Sequence, residues 1–270
     1  MGHSYPMTPL DSAGPAATYL FRRTDPLRAL VLDLDALADL RFDGYRVVFN
    51  AAFAALGLPV QWSVERYRQL LALPDERLRV AAELRKRCIG TDCDVLVRVL
   101  VEQVCDTKEA LLQRVMLDAG FSPRPGLNDL VTDAFVAQVP IAVITDGRRR
   151  WAQPLVSQLV GAGLVEAVVT ADDIGVPPRG DALFRQALAE LGVAPHDALA
   201  IVGSATGLRG ADAAGLATVL VDGDADTAAG VPSAAAAVRR DYSGTDGGLR
   251  LAQFRRLHAQ WWAEHSVPAA

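Results

Sequence analysis

Asp33 and Asp35 stand one residue apart where a short apolar run, 28–34 (RALVLDL), ends. Two carboxylates leaving a strand end together suit a two-part reaction. One can attack an electrophilic phosphorus, and its neighbour can shuttle the proton. An isolated Asp-X-Asp carries little weight, because acidic residues also cap whatever follows a strand. Placement adds weight here, since a helical stretch and then a resumed strand–helix pattern come after it. Hydroxyls occupy comparable positions: Thr145 ends the run 140–145 (PIAVIT), and Ser204 follows the run 198–203 (ALAIVG). Positive charge that could balance such a site is almost all arginine, with Arg148, Arg149 and Arg150 after Thr145, and Arg179 before a helical pattern. The only lysines are Lys86 and Lys108. Cys88, Cys93 and Cys105 lack metal-ligand spacing and read as reduced thiols. The scattered His3, His196, His258 and His265 offer neither a zinc site nor a Ser-His pairing.

The elements that must position these groups follow from periodicity. The run 28–34 is apolar on both faces, as a buried parallel strand requires. From 43 the period changes: Tyr45, Val48, Phe49, Ala52 and Phe53 fall at helical spacing and stop at Gly57, a C-cap residue. Helical segments continue over 64–73, 76–87 and 94–117. Alternation then resumes, with helices over 126–137, 151–161, 181–191 and 208–214, and strands over 140–145, 167–171, 198–203 and 217–222. Strands and helices alternating at this spacing predict a doubly wound α/β fold, a Rossmann-like core with a parallel sheet and an α-helical insert. Ligands of such sheets sit at the strand carboxyl ends, where Asp33, Asp35, Thr145 and Ser204 fall. The alanine-rich stretch 225–239 reads as a surface segment. In the tail, 249–264, Leu251, Phe254, Leu257 and Trp261 share one helical face, which suits docking on the core or, with Trp262 beside it, capture of a protein partner.

The resulting organisation is an N-terminal extension (1–27), a core from 28–42 and 121–248, a cap from 43–120, and a C-terminal helix and tail (249–270). With 51% hydrophobic residues, the 270-residue chain can bury a large core. A net charge of −5 argues against nucleic-acid binding, which needs a clustered basic surface. No apolar run approaches the roughly 20 residues of a membrane span. The N-terminus lacks a signal-peptide layout, so a cytoplasmic protein is expected.

From about Arg28 to Asp222 the sequence resembles the haloacid dehalogenase (HAD) superfamily, in its β-phosphoglucomutase and CbbY-like sugar-phosphate phosphatase branch. The resemblance is carried by 46–57 (RVVFNAAFAALG), Tyr67-Arg68-Gln69-Leu70-Leu71, Arg124-Pro125-Gly126 and 211–216 (ADAAGL). It implies a phosphoaspartyl intermediate, Mg²⁺, and a cap closing over a small phosphorylated metabolite. By position, Asp33 resembles the nucleophile and Asp35 the general acid/base. Asp33 through its carboxylate and Asp35 through its carbonyl would hold Mg²⁺. Thr145 matches the hydroxyl that binds the transferring phosphoryl group, and Lys108 falls where the branch has a lysine in its last cap helix.

Other positions depart from the family. Ala36-Leu37 stands where the family has a glycine turn, and Asp146 puts negative charge beside the phosphate site. Pro177 takes the place of the lysine that neutralises nucleophile and phosphate, leaving Arg179 as local stand-in. Gly203 takes the place of a metal-binding aspartate, and Asp212 lies too far along the next helix to replace it. Asp75-Glu76-Arg77 replaces the cap's substrate loop, with Arg79 in register; Arg79, Lys108, Arg148 and Ser204 remain as substrate contacts. Weak or absent Mg²⁺ binding and little turnover are therefore expected, as in a pseudoenzyme that binds a metabolite or a protein. The alternative is an active phosphohydrolase using Asp33 and Asp35. Gly203→Asp combined with Pro177→Lys is expected to raise Mg²⁺ affinity.

Overall fold

A computed structural model describes residues 27–40, 44–73, 75–90, 93–174, 180–223, 232–244 and 248–265. Six parallel strands form one sheet in the order β3-β2-β1-β4-β5-β6: β1 Ala29–Asp33, β2 Ile141–Ile144, β3 Ala167–Val169, β4 Ala198–Val202, β5 Ala217–Val221 and β6 Ala237–Arg239. The central strands β1, β2, β4 and β5 are buried along their length, Asp33 at the end of β1 excepted, and almost wholly apolar because helices cover both faces. Leu30, Leu32, Val143, Ile201 and Val219 pack into one face's core, and Ala29, Val31, Ile144, Ala200 and Val202 into the other's. The chain fills one half of the sheet through β3, then crosses back to β4 on the far side of β1. The crevice beyond the strand ends opens at that reversal. Asp33 pairs with Ile144 there, and Leu32 with Ile201. The ends of β1, β2 and β4 therefore converge, as their sequence positions suggested.

Between β1 and β2 run α1 (Leu34–Leu37), α2 (Tyr45–Ala55), α3 (Val64–Leu70), α4 (Glu76–Lys86), α5 (Asp94–Asp118) and α6 (Leu127–Val136). Residues of the insert build an apolar cluster of their own, centred on Trp62, whose ring lies 4.9 Å from that of Phe49 and 5.0 Å edge-on from that of Phe53. The 25 residues of α5 join the two cores: Val97, Val101 and Val104 belong to the insert cluster, whereas Leu112 and Met116 belong to the main one. At a rise of about 1.5 Å per residue, that helix is long enough to touch both.

After β2 come α7 (Arg149–Val160), α8 (Ala182–Leu191), α9 (Ala205–Ala213) and α10 (Leu251–His265). One finding differs from expectation, and another separates two readings left open by the sequence. Within the stretch read as a surface segment, Ala237–Arg239 pairs with β5 as a sixth strand, while 225–231 lies outside the described residues. The terminal helix is docked: Leu251, Phe254 and His258 are buried, and Arg250 grips Asp133 through Nε (2.7 Å) and Nη2 (2.5 Å). The apolar face that a partner would need is thus spent on this chain's own core. Of the N-terminal extension, only Leu27 is among the described residues.

Candidate active site

Asp33 is both the last residue of β1 and the N-cap of α1, the single helical turn that follows. Its Oδ1 accepts from the backbone N–H of Ala36 and of Gly203, each at 2.8 Å. The first bond caps the turn, and the second ties the end of β1 to the end of β4. Burial and the charge of Asp35 push the Asp33 carboxyl well above the ordinary carboxylate range; the two N–H groups and the Arg124 guanidinium offset this only in part. Asp33 is therefore drawn toward its neutral form, in which a carboxyl is a poor nucleophile.

A cleft of about 1140 Å³ lies above this turn, between the sheet and the insert. Asp33, Asp35, Thr145 and Ser204 line it from the core, and Tyr45, Phe49, Tyr67, Arg79 and Lys108 from the helical insert. The structure thus gathers the sequence-selected residues Asp33, Asp35, Thr145, Ser204, Arg79, Lys108 and Arg148 around one space. Arg179 and Pro177 lie outside the described residues.

Most of these groups already have partners. The Thr145 hydroxyl accepts from the Gly147 N–H at 3.1 Å, and Ser204 caps α9 by accepting from the Gly207 N–H at 3.0 Å. Lys108, buried over the rings of Tyr45 and Phe49, donates to Glu76 at 3.1 Å. Arg79 donates to the Leu73 carbonyl at 2.9 Å. The three consecutive arginines are paired in turn: Arg148 with Asp172 (2.7 Å), Arg149 with Asp173 (2.6 Å) and Arg150 with Glu109 (3.3 Å). Among the described lining residues, the carboxyls of Asp33, Asp35, Glu76, Glu109, Asp146 and Asp172 outnumber the cations of Arg79, Lys108, Arg148 and Arg150. Tyr45 registers this balance: burial first, then the charges of Asp35 and Asp146, push its hydroxyl well above its usual range.

Three contributors were not picked out as site residues from the sequence. Trp151 lines the cleft with a buried indole whose N–H has no acceptor among the described residues. Gly147 must be glycine, because a Cβ there would lie 2.0 Å from the Trp151 ring. Arg124 reaches the Asp35 carbonyl with Nε (3.1 Å) and Nη2 (3.0 Å). The sequence signal for Arg124 was its place before Pro125-Gly126, which marks a fixed backbone but not where the side chain goes.

A parallel sheet in the order 3-2-1-4-5-6, with paired carboxyls at the end of its central strand and a helical insert above them, describes a phosphatase-type α/β fold. The chain belongs to the haloacid dehalogenase-like hydrolase family, whose model matches residues 11–215. Within that family it falls in the CbbY-like branch. It is 28% identical over 203 residues to protein CbbY of Cereibacter sphaeroides, covering 73% of this chain and 85% of that one. It is 29% identical over 202 residues to the plasmid-encoded CbbY of Cupriavidus necator, covering 72% and 78%. Among solved structures, CbbY from Rhodobacter sphaeroides in complex with xylulose-(1,5)bisphosphate matches with a TM-score of 0.62 at 25% identity, covering 83% of this chain and all of that one. A β-phosphoglucomutase from Clostridium difficile shares the fold, with a TM-score of 0.59 at 13% identity over 88% of this chain and 99% of that one.

Members of this family generally use Mg²⁺, and the residues present here do not fit it. A Cβ on Gly203 would lie 2.4 Å from both the carbon and the oxygen of the Asp35 carbonyl, so no carboxylate can grow from that position without moving backbone. An aspartate at 203 therefore enters only if the Asp35 peptide shifts. The Asp35 carbonyl, the second expected ligand, is engaged by Arg124. Asp212 is exposed on α9, and no cluster of three or more His, Cys, Asp or Glu suited to a metal occurs among the described residues. Mg²⁺ requires near-octahedral oxygen ligation with carboxylate support.

Proposed function

We propose that this chain is a sugar-phosphate phosphatase-type HAD protein that turns over phosphate esters slowly or not at all, and binds a small metabolite beneath its helical cap. The close approach of Gly203 to the Asp35 peptide carries this reading. It removes the place for a second metal carboxylate at the end of β4, beside a desolvated Asp33. Preorganised positive charge dominates phosphoryl transfer. Losing one such group commonly costs ~10²–10³-fold in rate, by analogy with oxyanion-hole deletions.

The cleft sets the class of ligand. Its aromatic wall of Tyr45, Phe49 and Tyr67, with Thr145 at its base, suits a small polar metabolite. The excess of carboxyls favours a ligand with at most one phosphate over a bisphosphate such as the xylulose compound bound by the Rhodobacter protein. In this reading residues 43–120 act as the cap and 28–42 with 121–248 as the core, in a reducing cytoplasmic setting that suits its three free cysteines.

Retention of Asp33, Asp35 and Thr145 on one cleft favours a second reading, an active phosphohydrolase with Asp33 as nucleophile and Asp35 as general acid/base. One assay separates the two. The full chain is mixed with p-nitrophenyl phosphate and a panel of sugar monophosphates and bisphosphates, with Mg²⁺, beside Asp33→Asn. We expect background rates in both proteins. Turnover by the wild type that Asp33→Asn abolishes would establish the second reading.

A further inference from the structure

Of the chain's two lysines, Lys86 and Lys108, it is Lys108 that lines the cleft, from α5. Its Nζ lies 5.4 Å from the centre of the Tyr45 ring and 5.7 Å from that of Phe49, and the residue is 8% exposed. Aromatic faces attract an ammonium group without neutralising it. A lysine buried with nothing more would tend to lose its proton or to bind an anion.

The counter-charge comes from Glu76, whose Oε2 accepts from Nζ at 3.1 Å. Glu76 is the first residue of α4, where the helix N-terminus also favours a negative charge. Its neighbour Arg77 donates to Glu102 of α5 at 3.0 Å, in a pair that is half exposed on both sides. Two ion pairs of opposite polarity thus fasten the start of α4 to α5, one toward solvent and one on the cleft. Within the inner pair the Glu76 side chain is 34% exposed and that of Lys108 10%, so the carboxylate is the member that a ligand meets first.

A carboxylate oxygen and a phosphate oxygen make the same kind of bond to an ammonium group. Glu76 therefore takes the place that an anionic end of a ligand would take on Lys108. An incoming phosphate would have to displace it and would leave an unpaired carboxylate beside its own charge. A hydroxyl meets no such conflict, because it can donate to the carboxylate with the pair intact. We propose that Glu76 is a specificity-determining residue: as the built-in counter-ion of Lys108 it closes this end of the cleft to a second phosphate and offers an acceptor to a hydroxyl-bearing end. The inference rests on the reading of the cleft as a metabolite site and deepens it, because it assigns the exclusion of bisphosphates to one side chain.

The test exploits the scarcity of lysine. Labelling the full chain with ¹⁵N-lysine gives NMR ammonium signals from Lys86 and Lys108, and the one absent from Lys108→Met belongs to Lys108. Fructose 6-phosphate and fructose 1,6-bisphosphate, which differ by one phosphate, are titrated with calorimetry alongside. The wild type should bind the bisphosphate no more tightly than the monophosphate, and the bisphosphate should leave the Lys108 signal in place. In Glu76→Gln and Glu76→Ala the preference for bisphosphate over monophosphate should rise at least ~10-fold, because the competing charge is gone. The Lys108 signal should then move on binding, and adding Lys108→Met should erase the gain. A wild type that prefers the bisphosphate, whether or not the Lys108 signal moves, would overturn the proposal. So would cooperatively melting Glu76 variants that gain nothing for the bisphosphate, gain equally for both sugars, or keep the gain without Lys108. Phosphate-ester turnover by the wild type would refute the low-turnover reading and leave this one standing. Variants that bind the monophosphate as the wild type does, yet gain nothing for the bisphosphate, would sink this one alone.

Discussion

Asp33 carries two demands that pull in opposite directions. Its Oδ1 must accept the Ala36 and Gly203 N–H groups, which any carboxyl or amide oxygen can do. Its charge must be hidden in a part-buried turn beside Asp35, which only a neutral group does cheaply. The consequence for stability has a definite sign. Below about pH 4 the folded and unfolded chains both hold the proton. As pH rises, the unfolded chain releases it first, so Asp33 penalises folding progressively until the pH passes its raised folded-state value. Asp33→Asn keeps the acceptor and removes the charge. It should melt higher than wild type at neutral pH, by roughly 2–4 °C per kcal/mol gained, with the difference closing toward pH 4. Melting curves across that range check this, and a variant that melts lower at pH 7 would refute it. Gly203 gives a second prediction: even Gly203→Ala should cost roughly 1–3 kcal/mol in urea unfolding, because backbone must move to admit the methyl group. At this scale the sequence was informative about what is missing. The Asp-X-Asp pair, Thr145 and the glycine at 203 were all visible. The destination of the Arg124 side chain was not, because it depends on the packing of residues far apart in the chain.

At the scale of elements, α4 is held against α3 by a buried charge. The Glu83 carboxylate accepts from Arg66 Nε at 2.8 Å and from Arg87 Nε at 2.6 Å. Burial pushes its carboxyl up, but the hydrogen bonds of Arg87 and Arg66 outweigh that and hold it below its usual range. The sign is opposite to that of Asp33: the stabilisation is present above the ordinary glutamate value and is lost as pH falls through the depressed one. Glu83→Gln should cost about 1–3 kcal/mol at neutral pH, less on the Arg87 side, where solvent screens the pair. Hydrogen exchange should show the loss in α3 and α4 first; uniform loss across the sheet would contradict it. Elements with strong periodicity were legible, including the four central strands and the long α5. Two of the short ones, α1 and β6, were not. The four residues of α1 exist because Asp33 caps them, and β6 is a three-residue edge strand in an alanine-rich stretch without the β-branched runs that announce strands.

For the whole molecule, the terminal helix completes the sheet domain. Phe254 is fully buried, its ring 6.4 Å from that of Tyr242, and Arg250 locks the start of α10 onto α6 through Asp133. Phe254→Ala should cost about 3–5 kcal/mol, as other buried aromatic truncations do. Removing everything after Gly248 should unfold the core and not merely free a tail. Calorimetry of the truncated chain decides this, and an unchanged transition would return the helix to the role of a detachable module. Tyr242, against which α10 packs, also donates to Ala36 across a sequence separation of 206 residues. During synthesis a chain gains its amino-terminal elements first. A ribosome paused before Tyr242 would thus hold a chain with both aspartates in place but with the turn that aims them still unfastened. Whatever this cleft recognises, it becomes recognisable only after Tyr242 has been made and has reached Ala36.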